Sequence, residues 1–114
     1  MNKWEELKSL EQLEKVIEES DTKMILIFKH STRCSTSRLM LDRLQRSWEQ
    51  EEMASVTPYF LDLITYRDIS NAIAEYFQIG HESPQVILIN GRKAIYDGAH
   101  FEIEYQQLRR LVQN

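Results

Sequence analysis

The sequence contains a single cysteine, Cys34, among its 114 residues. One cysteine excludes an intramolecular disulfide, so the chain has neither a disulfide framework nor a Cys-x-x-Cys redox pair. A chain of this length can bury a hydrophobic core without disulfides or a metal. We therefore expect one domain over residues 1–114, with a reduced thiol as its distinctive chemical group.

The sequence also lacks an excess of basic residues and any long apolar run. Lys and Arg total 14 and Asp and Glu total 18, which gives a net charge of −4 and argues against nucleic-acid binding. The longest apolar run, residues 24–28, is too short to span a bilayer, and the N-terminus carries acidic residues where a signal peptide would be apolar. We expect a cytoplasmic protein with no nucleic-acid or membrane partner.

Three glycines and two prolines leave no linker, and hydrophobic patterns divide the chain into alternating elements. Ser9 and Gln12 form a capping-box pattern before a helix. Residues 23–30 form an apolar run typical of a strand that is buried on both faces. A helix follows Cys34, residues 57–63 form a second strand, and Thr65 and Asp68 begin another helix, which Gly80 ends. The residues expected to face inward on these three helices are Leu10, Leu13, Val16 and Ile17, then Met40, Leu41, Leu44 and Trp48, then Ile69, Ala72, Ile73, Tyr76 and Phe77.

The C-terminal third predicts a hairpin and a helix. Residues 85–90 and 92–98 flank Asn90-Gly91, a strong hairpin signal. Residues 101–114 form an amphipathic helix, and residues 3–7 are a possible leading strand. The order indicates an α/β fold with a central mixed sheet and helices on both faces. Together with a cysteine at the first strand-to-helix junction, this order is typical of the thioredoxin fold.

Cys34 is expected to begin a helix, where unpaired backbone N–H groups and the helix dipole favour a thiolate. We therefore expect the pKa of this thiol to lie below its reference of roughly 8.5. Between residues 23 and 41 the chain has four basic residues and no acidic one. This positive window would stabilise the thiolate and attract an anionic partner. Its basic residues are Lys23, Lys29, Arg33 and Arg38.

Ser37 stands where a Cys-x-x-Cys motif would have its second sulfur. Its hydroxyl can hydrogen-bond the Cys34 sulfur but cannot displace a group bound there. Cys34 would therefore capture a group from a mixed disulfide and hold it until an external thiol removes it. We interpret Cys34 and Ser37 as the catalytic residues of a monothiol redoxin.

Ser83-Pro84 lies just before a predicted strand, where a proline does not disturb the ladder. Thioredoxin-fold proteins carry a cis-proline at this point, facing the cysteine, and it presents the preceding residue to a bound chain. We expect Ser83 and Pro84, together with Arg33 and Thr36, to bind substrate.

Three segments in order, FKHSTRC with a serine at the third following position, SPQVILI and YDGAHFEI, resemble the monothiol bacilliredoxins, also called YtxJ-type general stress proteins. The resemblance covers nearly the whole chain. It implies a thioredoxin fold and a cytosolic role with bacillithiol, a small thiol that bears a malate group. The implied reaction removes bacillithiol from S-bacillithiolated proteins, and bacillithiol is then a co-substrate with no other cofactor. The family typically reads Cys-Pro-Ile-Ser, whereas this chain has Ser35 and Thr36, which adds a backbone N–H and two hydroxyls near the sulfur.

Two other functions remain open from the sequence. Two monothiol redoxins could hold an iron–sulfur cluster through Cys34 and a small thiol, or the chain could be a non-catalytic interaction module. His30, His81 and His100 lack the paired spacing of a zinc site, so we expect no metal.

Overall fold

The computed structural model describes residues 4–113 and contains a five-stranded sheet with helices on both faces. The predicted order of elements is confirmed, including the short leading strand. No helix in this part of the chain is long and apolar enough to cross a bilayer. The elements are β1 (Glu5–Glu6), α1 (Leu10–Glu19), β2 (Met24–His30), α2 (Ser35–Ser47), β3 (Val56–Asp62), α3 (Arg67–Phe77), β4 (Gln85–Asn90), β5 (Lys93–Ala99), a 3₁₀ turn (His100–Glu102) and α4 (Tyr105–Val112).

The strand β2 lies at the centre of the sheet, whose order is β1-β3-β2-β4-β5. It pairs in parallel with β3 and antiparallel with β4. A parallel pair needs a crossover connection, and α2 supplies it. Helices cover both faces of β2, so six of its seven residues are buried. This burial explains the unbroken apolar run in the sequence.

Successive side chains of β2 point to opposite faces of the sheet and feed two separate cores. Ile25 and Ile27 pack with residues of α1 and α3, on what we call the α1/α3 face. Leu26 and Phe28 pack with residues of α2 and α4, on the α2/α4 face. The same alternation applies to the last two residues of the strand. It places Lys29 on the α1/α3 face and His30 on the α2/α4 face.

An aromatic cluster closes the α2/α4 face. The rings of Trp4 and Trp48 meet edge to face with centroids 5.1 Å apart, and Trp48 meets Tyr105 in the same manner at 6.2 Å. Edge-to-face geometry is favourable because the positive ring edge meets the negative ring face. Since Trp48 follows the last residue of α2, this cluster fixes the end of the helix that Cys34 begins.

Two side chains that the pattern places inward are exposed. Leu10 is 46% exposed and Tyr76 is 51% exposed, and both line an open groove between α1 and α3. Leu10 is the first residue of α1 and therefore extends past the edge of the core. Both side chains therefore lie at the outer margin of the apolar faces of α1 and α3.

The end of α3 and the β4–β5 hairpin turn lie one or two residues away from their predicted positions. The helix α3 ends at Phe77, and Gln78 adopts the left-handed conformation (φ 57°) that the sequence assigns to Gly80. The hairpin loop is Gly91-Arg92, with φ values of 59° and 65°, and not Asn90-Gly91. A two-residue hairpin turn of this kind needs positive φ at both positions. Arg92 accepts this conformation where its guanidinium binds Asp21 at 3.0 Å, a tertiary contact.

Candidate functional site

Cys34 lies at the start of α2, as its N-cap residue. Its backbone is extended, its N–H donates to the Ser31 carbonyl at 3.2 Å, and its carbonyl accepts from the Arg38 N–H at 3.1 Å. The residue is half-buried, and its thiol makes no hydrogen bond to any residue within 4–113. A partly exposed cysteine therefore lies at the positive end of a thirteen-residue helix.

The positive window around Cys34 is narrower than the sequence predicts. Arg33 and Arg38 are exposed and lie on either side of the cysteine in the chain, and Arg38 also donates to the Thr32 carbonyl at 3.1 Å. Lys23 precedes the first residue of β2, so it lies at the opposite end of the strand, about 20 Å away. Of the four basic residues of the window, the two arginines thus remain next to Cys34 in the chain and exposed.

Lys29, the fourth basic residue of the window, is fully buried and turns away from α2. It lies on the α1/α3 face, and its Nζ has no hydrogen-bond partner among the described residues. Burial lowers the pKa of Lys29 from 10.5 to about 8. Its expected role beside the thiolate is therefore wrong, because strand alternation directs it to the other side of the sheet.

The Ser37 side chain is fully buried and has two hydrogen-bond partners. Its Oγ accepts from the Ser31 N–H at 3.0 Å and lies 2.7 Å from Nδ1 of His30. Within the described part of the chain it makes no hydrogen bond to Cys34. The hydroxyl, considered from the sequence as a donor to the sulfur, instead joins the first turn of α2 to the end of β2.

His30 is a functional candidate whose partner the sequence did not reveal. It is 5% exposed, and its ring lies 6.2 Å from the Phe28 ring and 5.3 Å from the Phe60 ring. Burial lowers the pKa of His30, Asp62 opposes the shift, and Arg38 adds to it. Burial thus favours the neutral imidazole, which carries one bare nitrogen. Strand alternation could have placed His30 on the α2/α4 face, but not opposite Ser37.

The segment before β4 forms the other side of the site. The Ser83–Pro84 peptide bond is cis, Pro84 is buried, and the Pro84 carbonyl accepts from the His100 N–H at 3.0 Å. The Gln85 side-chain amide donates to the Gly80 carbonyl at 3.1 Å and holds the preceding loop. Ser83 itself keeps a free backbone N–H and carbonyl, since neither has a partner among the described residues. Both groups are available to an extended chain.

The sheet register brings Cys34, the first turn of α2 and the Ser83–Pro84 segment to one end of the central strand β2. β4 runs antiparallel to β2, and Gln85 pairs with Lys29, so Pro84 lies next to the end of β2 from which the chain continues to Cys34. Thr36 is half-buried in the first turn of α2, at the same end of β2. Of the predicted site residues, Cys34, Thr36, Ser83 and Pro84 thus come from elements that meet there, as do Arg33 and Ser37.

The other histidines lie apart from the sulfur and make separate contacts. His81 Nδ1 is 3.4 Å from the Ser70 hydroxyl, and His100 Nε2 is 3.5 Å from the Glu82 carboxylate. Within residues 4–113, no three His, Cys, Asp or Glu side chains are grouped so that they could hold a metal ion.

A half-buried cysteine at the start of α2, together with a cis-proline before the antiparallel strand β4 that pairs with the end of β2, is typical of a thioredoxin-fold redox protein. Solved structures agree. A candidate oxidoreductase with a thioredoxin fold shares 29% identity at a TM-score of 0.80 over 93% of this chain and 90% of that chain. The thioredoxins of Fasciola hepatica and Malassezia sympodialis share the fold at a TM-score of 0.74, with 16% and 15% identity over 96% and 99% of this chain and 96% and 90% of theirs.

The family model for monothiol bacilliredoxin BrxC matches residues 5–108. This chain therefore belongs to the monothiol bacilliredoxin family, as the resemblance of its three motifs predicts.

Proposed function

We propose that this protein removes bacillithiol from S-bacillithiolated proteins through a mixed disulfide on Cys34, in the reducing cytoplasm. One observation carries the proposal. The only sulfur nucleophile of the chain is half-buried at a helix start, and the position of a second sulfur is filled by a buried serine. Such a site can capture a thiol but cannot release it without help.

The first step is a thiol–disulfide exchange that needs no oxidant. The Cys34 thiolate attacks the bacillithiol sulfur of the protein mixed disulfide, and a new bond forms between these two sulfurs. The original disulfide bond breaks, and the substrate protein leaves as a thiolate that takes up a proton from water. In the second step an external thiol attacks the same bacillithiol sulfur and releases Cys34, so that thiol supplies the reducing equivalents.

The surrounding residues suit both halves of such a substrate. The exposed guanidinium groups of Arg33 and Arg38 can attract the carboxylates of the malate group. The unpaired backbone of Ser83 can hydrogen-bond an extended segment of the substrate protein. Thr36 adds a hydroxyl in the first turn of α2. We propose bacillithiol as the co-substrate and no resident cofactor.

Intact-mass spectrometry after exposure to oxidised bacillithiol, with oxidised glutathione in parallel, tests the proposal. We expect one bacillithiol adduct per chain, removable by a reductant and absent from Cys34→Ser. The same variant should lose all de-thiolation of a bacillithiolated protein. Equal reaction with glutathione would support a general monothiol redoxin, and undiminished de-thiolation by Cys34→Ser would rule the mechanism out.

A further inference from the structure

The buried His30–Ser37 pair has no part in the exchange steps above. A serine hydroxyl has one proton to donate and two lone pairs that accept. The Ser31 N–H occupies one lone pair of the Ser37 oxygen at 3.0 Å. The hydroxyl proton still needs an acceptor, because leaving it unpaired inside the protein is costly. Nδ1 of His30 lies 2.7 Å away and can accept this proton in the tautomer that carries its own proton on Nε2.

The same hydroxyl lies close to the reactive sulfur along the chain. Cys34 is the N-cap of α2 and Ser37 is its third residue. Side chains three positions apart are neighbours on a helix, and in a capping box the side chain at each of these two positions reaches the backbone N–H of the other. A free hydroxyl at position 37 would therefore be within reach of a thiolate at position 34. In the structure, the described contacts of this hydroxyl lead to His30 and Ser31 instead.

We infer that His30 is a positioning residue, which takes the Ser37 hydroxyl proton and thereby withholds a hydrogen bond from the Cys34 thiolate. A hydrogen bond to the thiolate would stabilise it, and a more stable thiolate is a weaker nucleophile. Withholding it keeps the ionised sulfur a stronger nucleophile toward a disulfide, while a smaller fraction of the thiol is ionised below its pKa. The meaning of this arrangement for catalysis rests on the proposed exchange function.

The charged groups that act on His30 come from two elements. Asp62 lies at the end of β3, and Arg38 lies in the first turn of α2. Arg33 and Arg38 are the charged side chains closest in sequence to Cys34. The test variants leave all three in place, so a change in thiol reactivity reports on the hydroxyl.

The pH dependence of Cys34 alkylation by iodoacetamide tests the inference. His30→Phe keeps a ring between Phe28 and Phe60 but removes the acceptor, so the Ser37 proton turns to the sulfur. We expect the pH midpoint of alkylation to fall by about one unit, as for a hydrogen bond to a charged group. In the Ser37→Ala background, His30→Phe should have no further effect.

His30→Asn is the matched control, because its side-chain oxygen can accept the proton near the position of Nδ1. We expect its midpoint to equal that of the wild type. An unmoved midpoint in His30→Phe, or the same shift in a chain without the Ser37 hydroxyl, would overturn the inference. If His30→Phe does not fold by circular dichroism, ¹⁵N NMR of the wild-type imidazole decides. A bare Nδ1 supports the assignment and a protonated Nδ1 refutes it.

Alkylation needs no bacillithiol, so the two proposals can fail separately. A failed midpoint test with normal bacillithiol transfer removes only the role of His30. Conversely, a correct midpoint pattern without bacillithiol transfer removes the proposed substrate and leaves the positioning role.

Discussion

Lys29 and His30 are neighbours on the central strand, yet only one of the two has a described hydrogen-bond partner for its polar group. Both side chains are buried, but His30 on the α2/α4 face lies 2.7 Å from a serine hydroxyl, whereas the amine of Lys29 on the α1/α3 face has no described partner. A buried polar group without a partner destabilises a fold. On the α2/α4 face, therefore, the buried polar side chain beside the cysteine has a hydrogen-bond partner. On the α1/α3 face, the buried amine of Lys29 lowers the stability of the fold.

The rest of each face follows the same division. On the α2/α4 face, Ser31 and Ser37 complete a short hydrogen-bonded network. On the α1/α3 face, the contact between Ser70 and His81 is 3.4 Å long and correspondingly weak. Burial lowers the pKa of His81, and the charge on Lys29 adds to that shift. Of these contacts, the shorter hydrogen bonds thus lie on the side of the sheet that carries the thiol.

The strongest expected change comes from putting a second sulfur on the α2/α4 face. In Ser37→Cys, the new thiol lies three residues after Cys34 on the same helix turn. It should attack the Cys34 sulfur and expel bound bacillithiol, so that the mixed disulfide falls at least about tenfold by mass spectrometry. Ser47→Cys, at the far end of α2 about 18 Å away, should keep the adduct. Persistence of the adduct in Ser37→Cys would show that position 37 is not near the sulfur.

Removing the amine from the other face should raise stability. The pKa of Lys29 falls from 10.5 to about 8 on folding, so between these values the unfolded chain holds more protons and stability rises with pH. Below pH 8 the full penalty is present. We expect Lys29→Met to raise the free energy of unfolding at pH 7 by about 2 to 3 kcal/mol, measured by urea denaturation.

The pH dependence sharpens this prediction. The rise in stability between pH 8 and 10.5 should be smaller in Lys29→Met than in the wild type. Lys93→Met changes an exposed strand lysine and should leave that rise intact. A Lys29→Met protein that is less stable at pH 7 would mean that the amine has a stabilising partner.

Two fully buried serines, one on each face, give a smaller and more direct contrast. Ser37→Ala leaves the His30 nitrogen and the Ser31 N–H without their partner, so we expect a loss of about 1 to 3 kcal/mol. Ser70→Ala removes only the long contact to His81 and should cost less than about 1 kcal/mol. Thermal unfolding of both variants checks the order, and equal losses would contradict the division between the two faces.

The smallest effect is expected where the chain departs from its family. Ser35 is the first residue of α2, its N–H has no described partner, and Cys34 before it is already extended (φ −111°, ψ 119°). A proline fits these conditions and restricts the unfolded chain. Ser35→Pro should therefore stabilise the protein by about 0.5 to 1 kcal/mol in urea. A loss of stability would show that this N–H is used.

The position of the cysteine could be predicted because it depends on local pattern. The apolar run of β2 and the helical pattern after Cys34 place the thiol at a strand-to-helix junction. The contact between His30 and Ser37 could not be predicted, because it requires the relative position of β2 and α2. Likewise, Arg92 enters the hairpin turn where its side chain binds Asp21, seventy-one residues away. Local patterns assign elements and faces, whereas side-chain partners depend on packing between elements.

The edge-to-face pair of Trp4 and Trp48 places all tryptophan fluorescence of the protein on one side of the sheet. Both tryptophans of the chain belong to the α2/α4 core. Intrinsic fluorescence excited at the indole band therefore reports on the half of the protein that carries the thiol. The α1/α3 half, where Tyr59 donates to Glu19 at 2.7 Å, has no such reporter. Comparing fluorescence with far-ultraviolet circular dichroism during heating would show whether the two halves melt as one unit.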